Sequence, residues 1–200
     1  MDLIRAPEVV DALVERLFEC YRGMIGCFLD AAGEKLDLLE LPGDDFAGNE
    51  GPLISPETFD RFFKTPYRRL VAFIKKRAPH VKVVYHSDGA MTPFLPRLIE
   101  IGVDAFHPLE PLAATDMAAV KETYGQDLAF LGAIDIRRAL LGSEEDVVRE
   151  VKTRLRELGR GGGYVLAPSN HLQPDVPPEN VFALYRAARD YGRYPLELSS

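Results

Sequence analysis

An apolar run of the chain, Val81–Tyr85, is followed at once by two titratable side chains two residues apart, His86 and Asp88. An imidazole beside a carboxylate can transfer protons or bind a metal ion, because both groups offer lone pairs and both change protonation state. A structural alternative exists, since Asp88 precedes Gly89 and Asp-Gly pairs are common in turns. His171, much later in the chain, is the residue expected to complete a metal set with His86 and Asp88.

Polar side chains also follow every other apolar run that is predicted to be a strand. The side chains concerned are Asp44 and Asp45, His107 and Glu110, Asp135, and Asn170 and His171. Each one has a local alternative, such as capping a turn or the start of a helix. The segments that lead into the runs carry ordinary loop residues instead. This asymmetry favours a functional site shared by the carboxyl ends of the strands.

Short apolar strands and amphipathic helices alternate after a long first helix over Pro7–Ala31. The predicted strands are Leu36–Leu41, Val81–Tyr85, Val103–Phe106, Leu128–Leu131 and Gly163–Ala167. The other predicted helices are one from Ser55 to about Lys76 that Pro66 bends or interrupts, and Thr92–Ile101, Asp116–Tyr124, Glu144–Leu158 and Pro178–Tyr191. This alternation predicts five parallel βα units.

Two architectures are built from such units. A doubly wound sheet usually has a glycine-rich phosphate turn after its first strand, whereas the glycine run Gly161–Gly163 precedes a strand. A TIM-type barrel collects its chemistry at the carboxyl ends of its strands. We therefore predict an α/β fold: a partial (β/α)8-type barrel of about five βα units after a leading helix, in a single domain over residues 1–200.

Composition narrows the classes of partner. With a net charge of −7 over 200 residues, the chain lacks the basic surface of a general nucleic-acid binder. No segment reaches the ~20 apolar residues of a membrane span, and the first residues do not resemble a secretory signal, so we expect a cytoplasmic protein without nucleic acid or membrane partners. Cys20 and Cys27 are expected to be reduced packing residues, roughly 10 Å apart on the first helix and too distant for a disulfide.

Four segments of the chain resemble the C-terminal portion of the uroporphyrinogen decarboxylase (URO-D) superfamily. They are GDDFAGNEGPLISPETFDRFFK (Gly43–Lys64), YHSDGAMTPFLPRLIEIGVDAFHPLEP (Tyr85–Pro111), FLGAIDIRRAL (Phe130–Leu140) and GGGYVLAPSNHLQPDVPPENVFALY (Gly161–Tyr185). The resemblance implies a (β/α)8 barrel. Some members decarboxylate the acetate arms of uroporphyrinogen in haem biosynthesis without a cofactor, and others transfer methyl groups to or from a corrinoid or coenzyme M, usually through zinc.

The chain departs from the family pattern at the site. Zinc-dependent members carry cysteines where this chain has Asp88 and Asn170, and decarboxylases carry a histidine where it has Asn170, with His171 beside it. Full-length members also have roughly three further βα units, with substrate-binding arginines and an aspartate, ahead of the matching segment. A partial barrel leaves open strand edges, so we expect a homo-oligomer or a barrel-completing partner.

The strand-end residues are predicted to have two roles. Those predicted to be catalytic are Asp44, Asp45, His86, Asp88 and His171. Those predicted to bind substrate are His107, Glu110, Asp135 and Asn170. The first expected function is decarboxylation of the acetate side chains of a tetrapyrrole, without a cofactor. The alternatives are corrinoid-linked methyl transfer from a small methyl donor, with zinc and a corrinoid, and a non-catalytic half-barrel that binds a partner.

Overall fold

The computed structural model describes residues 2–112 and 114–196 of the chain. Within these residues the strands, in chain order, are β1 (Leu38–Glu40), β2 (Ala47–Gly48), β3 (Gly51–Pro52), β4 (Lys82–His86), β5 (Ala105–His107), β6 (Ala129–Ile134) and β7 (Tyr164–Pro168). Five of them form a parallel sheet in the order β1-β4-β5-β6-β7, and β2 pairs with β3 as an antiparallel hairpin. The predicted single domain also covers Met1, Ala113 and residues 197–200, which lie outside the described residues.

Helices precede, connect and follow the strands of the sheet. They are α1 (Asp2–Arg5), α2 (Pro7–Ala32), α3 (Pro56–Phe62), α4 (Lys64–Arg77), α5 (Leu95–Ile101), α6 (Met117–Tyr124), α7 (Glu144–Leu158) and α8 (Pro178–Tyr191), with 3-10 turns at Gly33–Lys35 and Thr92–Phe94. Parallel neighbours joined by helical crossovers are the repeating units of a (β/α)8-type barrel. The sheet is an arc of such a barrel, which confirms the predicted fold class.

Side chains at the first turns set where several helices begin. The Asp116 side chain accepts a hydrogen bond from the Ala119 amide at 3.0 Å at the start of α6. At the start of α7, Ser143 and Asp146 form a reciprocal capping box, in which each side chain accepts from the other residue's amide. These bonds satisfy amide groups that a helix leaves unpaired at its first turn.

The two faces of the sheet have different surroundings. Successive side chains of a strand point to opposite faces, and the strand register shows which side chains share a face. The helix-side face, which packs with helix residues in the main hydrophobic cluster, comprises Leu39, Val83, Tyr85, Phe106 and Phe130. The opposite face, called the open face below, includes Leu38, Glu40, Val84, His86, Ala105, His107 and Val165. In a closed barrel the open face is the interior.

The predicted elements agree with the structure apart from local differences. All five predicted strands are present, with ends that differ by up to three residues. The helix predicted from Ser55 to about Lys76 is divided at Phe63, between α3 and α4, rather than at Pro66. Pro66 lies in the first turn of α4, where a missing amide costs no helical hydrogen bond. The β2–β3 hairpin was not predicted.

The prediction that both cysteines are packing residues is wrong. Cys20 and Cys27 are free thiols and both are exposed, because they lie on the side of α2 opposite the buried Phe18, Ile25 and Leu29. The helix therefore has an apolar core-facing side and a second, solvent-facing side on which the cysteines lie. Separately, no helix among the described residues has the length and hydropathy needed to span a membrane.

Candidate functional site

Two histidines from neighbouring strands meet at the carboxyl edge of the open face. The register pairs His86 at the end of β4 with His107 at the end of β5, so both imidazoles project to the same side. Their Nδ1 atoms are 2.9 Å apart and form a hydrogen bond. One Nδ1 must carry a proton and the other must be a bare acceptor, because two N–H groups cannot bond to each other.

The environment of His107 favours its neutral form. Burial lowers the pKa of the His107 imidazole, and the neighbouring His86 lowers it further. The carboxylates of Glu40 and Asp88 act in the opposite direction. The Glu40 Oε2 atom lies 3.9 Å from His107 Nδ1, reaching it from β1 across the intervening β4. His107 is therefore a half-buried base that shares one proton with its partner on β4.

Asp88 and Asn170 join two loops that are distant in the sequence. The Asn170 amide Nδ2 donates a hydrogen bond of 2.8 Å to Asp88 Oδ2. The other carboxylate oxygen, Asp88 Oδ1, is shielded from solvent, has no hydrogen-bond partner among the described residues, and lies 3.8 Å from His86 Nε2. The two positions at which the resemblance implies zinc-binding cysteines are thus in contact with each other through an amide–carboxylate bond.

The loop after β1 packs on the loop after β4. Asp45 Oδ1 accepts a hydrogen bond of 2.9 Å from the Asp88 amide. The Gly89 amide donates at 2.6 Å to Glu110 Oε2, which is buried. Gly89 has a φ of +91°, and a Cβ there would lie 2.4 Å from the Ala47 carbonyl oxygen. Only glycine allows this close approach of the two loops.

Asp44 is held from the core side of the same loop. The Tyr67 hydroxyl donates a hydrogen bond of 2.6 Å to Asp44 Oδ2. Tyr67 is fully buried, and this burial raises the pKa of its phenol well above the ordinary value. The phenol therefore remains protonated and available as a donor. One oxygen of Asp44 is committed to this bond, and its predicted catalytic role stays a prediction.

Two predicted residues make mainly local contacts. Asp135 Oδ1 accepts hydrogen bonds from the Arg137 and Arg138 amides at 2.8 and 3.2 Å, which is the turn-capping alternative considered for it. His171 is exposed, and its amide and its Nδ1 both lie within hydrogen-bond distance of Asn170 Oδ1. Asp135 thus caps its own turn, whereas His171 contacts Asn170 and also lies close enough to His107 to lower the pKa of that imidazole slightly.

The ligand geometry differs from the predicted metal set. Among the described residues there are two groups of three side chains whose possible ligand atoms, within each group, all lie within 4.8 Å of one another. They are Glu40, His86 and His107, and Asp45, His86 and Asp88. His171 belongs to neither group, so the expected set of His86, Asp88 and His171 is not assembled.

Glu40 was not among the candidates predicted from the sequence. It lies inside a predicted apolar strand rather than after it, in the run Leu38-Leu39-Glu40-Leu41. The available signal was the alternation of that run, because a charged residue between buried Leu39 and Leu41 must lie on the opposite face of the strand.

Comparison with known proteins gives a consistent family. The family model described as Uroporphyrinogen decarboxylase (URO-D) matches residues 1–191. A uroporphyrinogen decarboxylase from Granulibacter bethesdensis is 29% identical over 183 residues, which are 92% of this chain and 50% of that protein. One from Legionella pneumophila (strain Corby) is 28% identical over 141 residues, 70% of this chain and 38% of that protein. The chain spans half or less of the length of these relatives.

A solved structure has a similar fold. A methyltransferase from Methanosarcina mazei superposes with a TM-score of 0.75 over 95% of this chain and 52% of the other, at 22% sequence identity. At this identity the likeness concerns the fold alone. The parallel sheet with helices on one face is therefore found in a protein of about twice this length.

Proposed function

Because the chain belongs to the uroporphyrinogen decarboxylase (URO-D) family, we propose that it carries out the decarboxylation of acetate side chains on a porphyrinogen. In this reaction the bond between the side-chain methylene and the carboxylate breaks. Carbon dioxide leaves, and a proton takes its place on the methylene, which becomes a methyl group. The site must therefore supply and receive protons beside a ring that holds the developing charge.

One observation carries this proposal: the hydrogen bond of 2.9 Å between the Nδ1 atoms of His86 and His107. Such a pair holds one shared Nδ1 proton. It can pass a proton on when either imidazole gains one from substrate or solvent. The nearby Asp88 and Asp45 carboxylates can stabilise the cationic states that arise on the pair or on a pyrrole ring.

A porphyrinogen also carries several carboxylates, which require cationic partners. Around the imidazole pair the described side chains are mainly acidic, and Arg137 lies 4.0 Å from Glu110 rather than beside the histidines. We therefore include a second polypeptide in the proposal, either another copy of this chain or a barrel-completing partner, as the source of the missing cations. A cytoplasmic location and the absence of membrane or nucleic-acid partners belong to the same proposal.

The test uses protein purified under mild conditions from its own host, tagged at the chromosomal locus so that any associated chain is retained. It is incubated anaerobically with uroporphyrinogen, and the oxidised porphyrin products are separated by chromatography. We expect loss of carboxylates in wild type and at least ~100-fold slower loss in His86→Ala, the typical effect of removing a proton-transfer group. His80→Ala, which removes a histidine at the other end of β4, is the matched control. Equal rates in all three proteins, or no turnover, would overturn the proposal.

A second candidate is methyl transfer to or from a corrinoid. The observation that favours it is the grouping of imidazole and carboxylate ligands on the open face, since zinc accepts such donors. Asp88 and Asn170 stand where the resemblance implies thiolates and bond to each other, so this candidate needs a ligand set without sulfur. Incubation with methylcobalamin, an acceptor thiol and Zn²⁺ tests it, with transfer of the methyl group to the thiol and spectroscopic loss of the methylated corrinoid as the expected result. A stable methylcobalamin spectrum in the presence of acceptor thiols would remove this candidate.

A non-catalytic half-barrel that binds a partner is the remaining alternative. It predicts that neither substrate is consumed while the tagged protein still purifies with a second polypeptide. The two activity assays and the composition of the purified complex therefore separate all three alternatives.

A further inference from the structure

We propose that Glu40, His86 and His107 form a binding site for one divalent transition-metal ion on the open face of the sheet. The three residues come from β1, β4 and β5, which are adjacent in the sheet. Each lies at the carboxyl end of its strand, and all three share one face. The fold thus brings two imidazoles and one carboxylate together without help from any loop.

The distances between the ligand atoms are close to those of a filled site. The two Nδ1 atoms are 2.9 Å apart, and Glu40 Oε2 lies 3.9 Å from His107 Nδ1. Ligands about 2.0–2.1 Å from a tetrahedral zinc ion are separated by roughly 3.3 Å from one another. Small side-chain rotations that part the imidazoles and bring Glu40 closer therefore produce this geometry. The ion would take the place of the proton that the two nitrogens share.

The donor types and their exposure suit an open, reactive metal site. Two neutral imidazoles and one carboxylate are a common protein ligand set for zinc, with the fourth position left to water or substrate. The Glu40 side chain is 55% exposed, so the fourth position faces solvent on the open face. The Asp88 Oδ1 atom lies 3.8 Å from His86 Nε2, beyond hydrogen-bond distance, on the side of the ring from which a carboxylate can orient a ligating imidazole.

The alternative group of Asp45, His86 and Asp88 is less available for an ion. Asp45 Oδ1 already accepts a hydrogen bond from the Asp88 amide, and Asp88 Oδ2 accepts one from Asn170, so only Oδ1 of the Asp88 carboxylate remains for an ion. The Glu40 carboxylate, by contrast, accepts no hydrogen bond from the residues that the structure describes. An ion at Glu40 therefore displaces only the shared proton of the histidine pair, and the loop contacts around Asp88 remain.

This proposal depends on neither of the proposed activities, because it rests on side-chain geometry and is tested by binding alone. The effect of Zn²⁺ on activity also distinguishes the two proposed activities. A protein that decarboxylates a porphyrinogen through the shared proton is inhibited when Zn²⁺ replaces that proton, whereas a protein that uses the ion for catalysis is activated by it.

The experiment measures Zn²⁺ binding by calorimetry, and Co²⁺ binding by its visible absorption, on protein stripped with a chelator and dialysed. We expect one ion per chain and a cobalt spectrum typical of four ligands. Glu40→Gln and His107→Ala are expected to weaken binding at least ~10-fold, since even changes to groups that only support metal ligands have effects of that size. His80→Ala, which removes a histidine outside the group at the other end of β4, is expected to bind as wild type does.

Three results would overturn the proposal. They are no binding of either ion, unchanged binding in Glu40→Gln, or binding that is lost in Asp45→Asn and Asp88→Asn but retained in His107→Ala. Thermal unfolding of each metal-free variant shows whether it folds. Should His107→Ala fail to fold, the exposed Glu40→Gln still decides, because the rise in Tm that Zn²⁺ produces in wild type must then shrink in that variant.

Discussion

The two faces of the five-stranded sheet are built from alternate residues of the same strands, but they contact different surroundings. On the helix-side face, Tyr85, Phe106 and Phe130 are all 0% exposed. On the open face, Leu38 and Val165 are 49% and 51% exposed. The open face is exposed only in part, because Val84 and Ala105 near its centre are 2% and 4% exposed. Burial of its outer residues, such as Leu38 and Val165, depends on a further layer of protein.

The polar residues follow the same division. Glu40, His86 and His107 lie on the open face, where they contribute little to the packed core. Residues that fold the chain and residues that could do chemistry are thus separated by the period-two alternation of each strand. A substitution on one face should therefore affect stability, and a substitution on the other should affect binding or turnover.

The largest predicted effect is on the helix-side face. Phe130→Ala should lower the free energy of unfolding by about 3–5 kcal/mol, because it leaves a cavity in a fully buried cluster. Val165→Ala, on the neighbouring strand and the open face, is the matched control and should cost less than about 1 kcal/mol. Urea unfolding at one protein concentration measures both. Equal losses in the two variants would contradict the division between the faces.

The second largest predicted effect is a loss of activity after a substitution on the open face. His86→Ala should reduce decarboxylation at least ~100-fold, about 2.7 kcal/mol in activation free energy. The same change should alter the free energy of unfolding by less than about 1 kcal/mol, because the ring is only partly buried and belongs to no hydrophobic cluster. A collapse in Tm would instead identify His86 as a structural residue, satisfied by its neighbours.

Much of this arrangement could be predicted from the sequence, because strands and helices follow from local hydrophobic patterns. The apolar run before His86 predicted β4, and the polar residue after it was correctly expected at the carboxyl edge. The direct contact of His86 with His107 was not predicted, since it depends on the register between β4 and β5. No local pattern contains that register.

Contacts between distant loops were also beyond prediction. Asp88 and Asn170 bond across 82 positions of the chain, and Glu40 reaches His107 over an intervening strand. His171 was preferred for the metal set because of its residue type, but the turn at Asn170 directs it to a local hydrogen bond. Residue type and spacing predicted the edge of the sheet, and tertiary packing determined which side chains meet there.

The open face also predicts association of the chain. We expect the purified chain alone to sediment as an oligomer, because exposed apolar residues and open strand edges favour pairing. Replacing Leu38 and Val165 together by glutamate should shift it toward the monomer without unfolding it. Sedimentation velocity over a range of concentrations measures this shift. A sharp monomer peak for the unchanged chain, with cooperative melting, would mean that the chain is stable without a further layer of protein on the open face.

The smallest predicted effect is a pH dependence that arises from His107 on the open face. Burial and His86 lower the pKa of this imidazole below its ordinary 6.5, so the unfolded chain binds more protons than the folded chain between the two pKa values. The free energy of unfolding must therefore rise with pH in that window. The contribution is fully present above about 6.5 and is lost progressively as the pH falls toward the lowered pKa of the folded state.

The comparison that isolates this contribution is between wild type and His107→Gln, with His80→Gln as the control, all in chelator so that no metal competes for the imidazole. The slope of unfolding free energy against pH below 6.5 should be shallower in His107→Gln than in the other two proteins. An unchanged slope would mean that His107 titrates normally in the folded chain. The pair of His86 and His107 on the open face would then be more hydrated than its contacts indicate, and the two faces of the sheet would differ even more in their access to water.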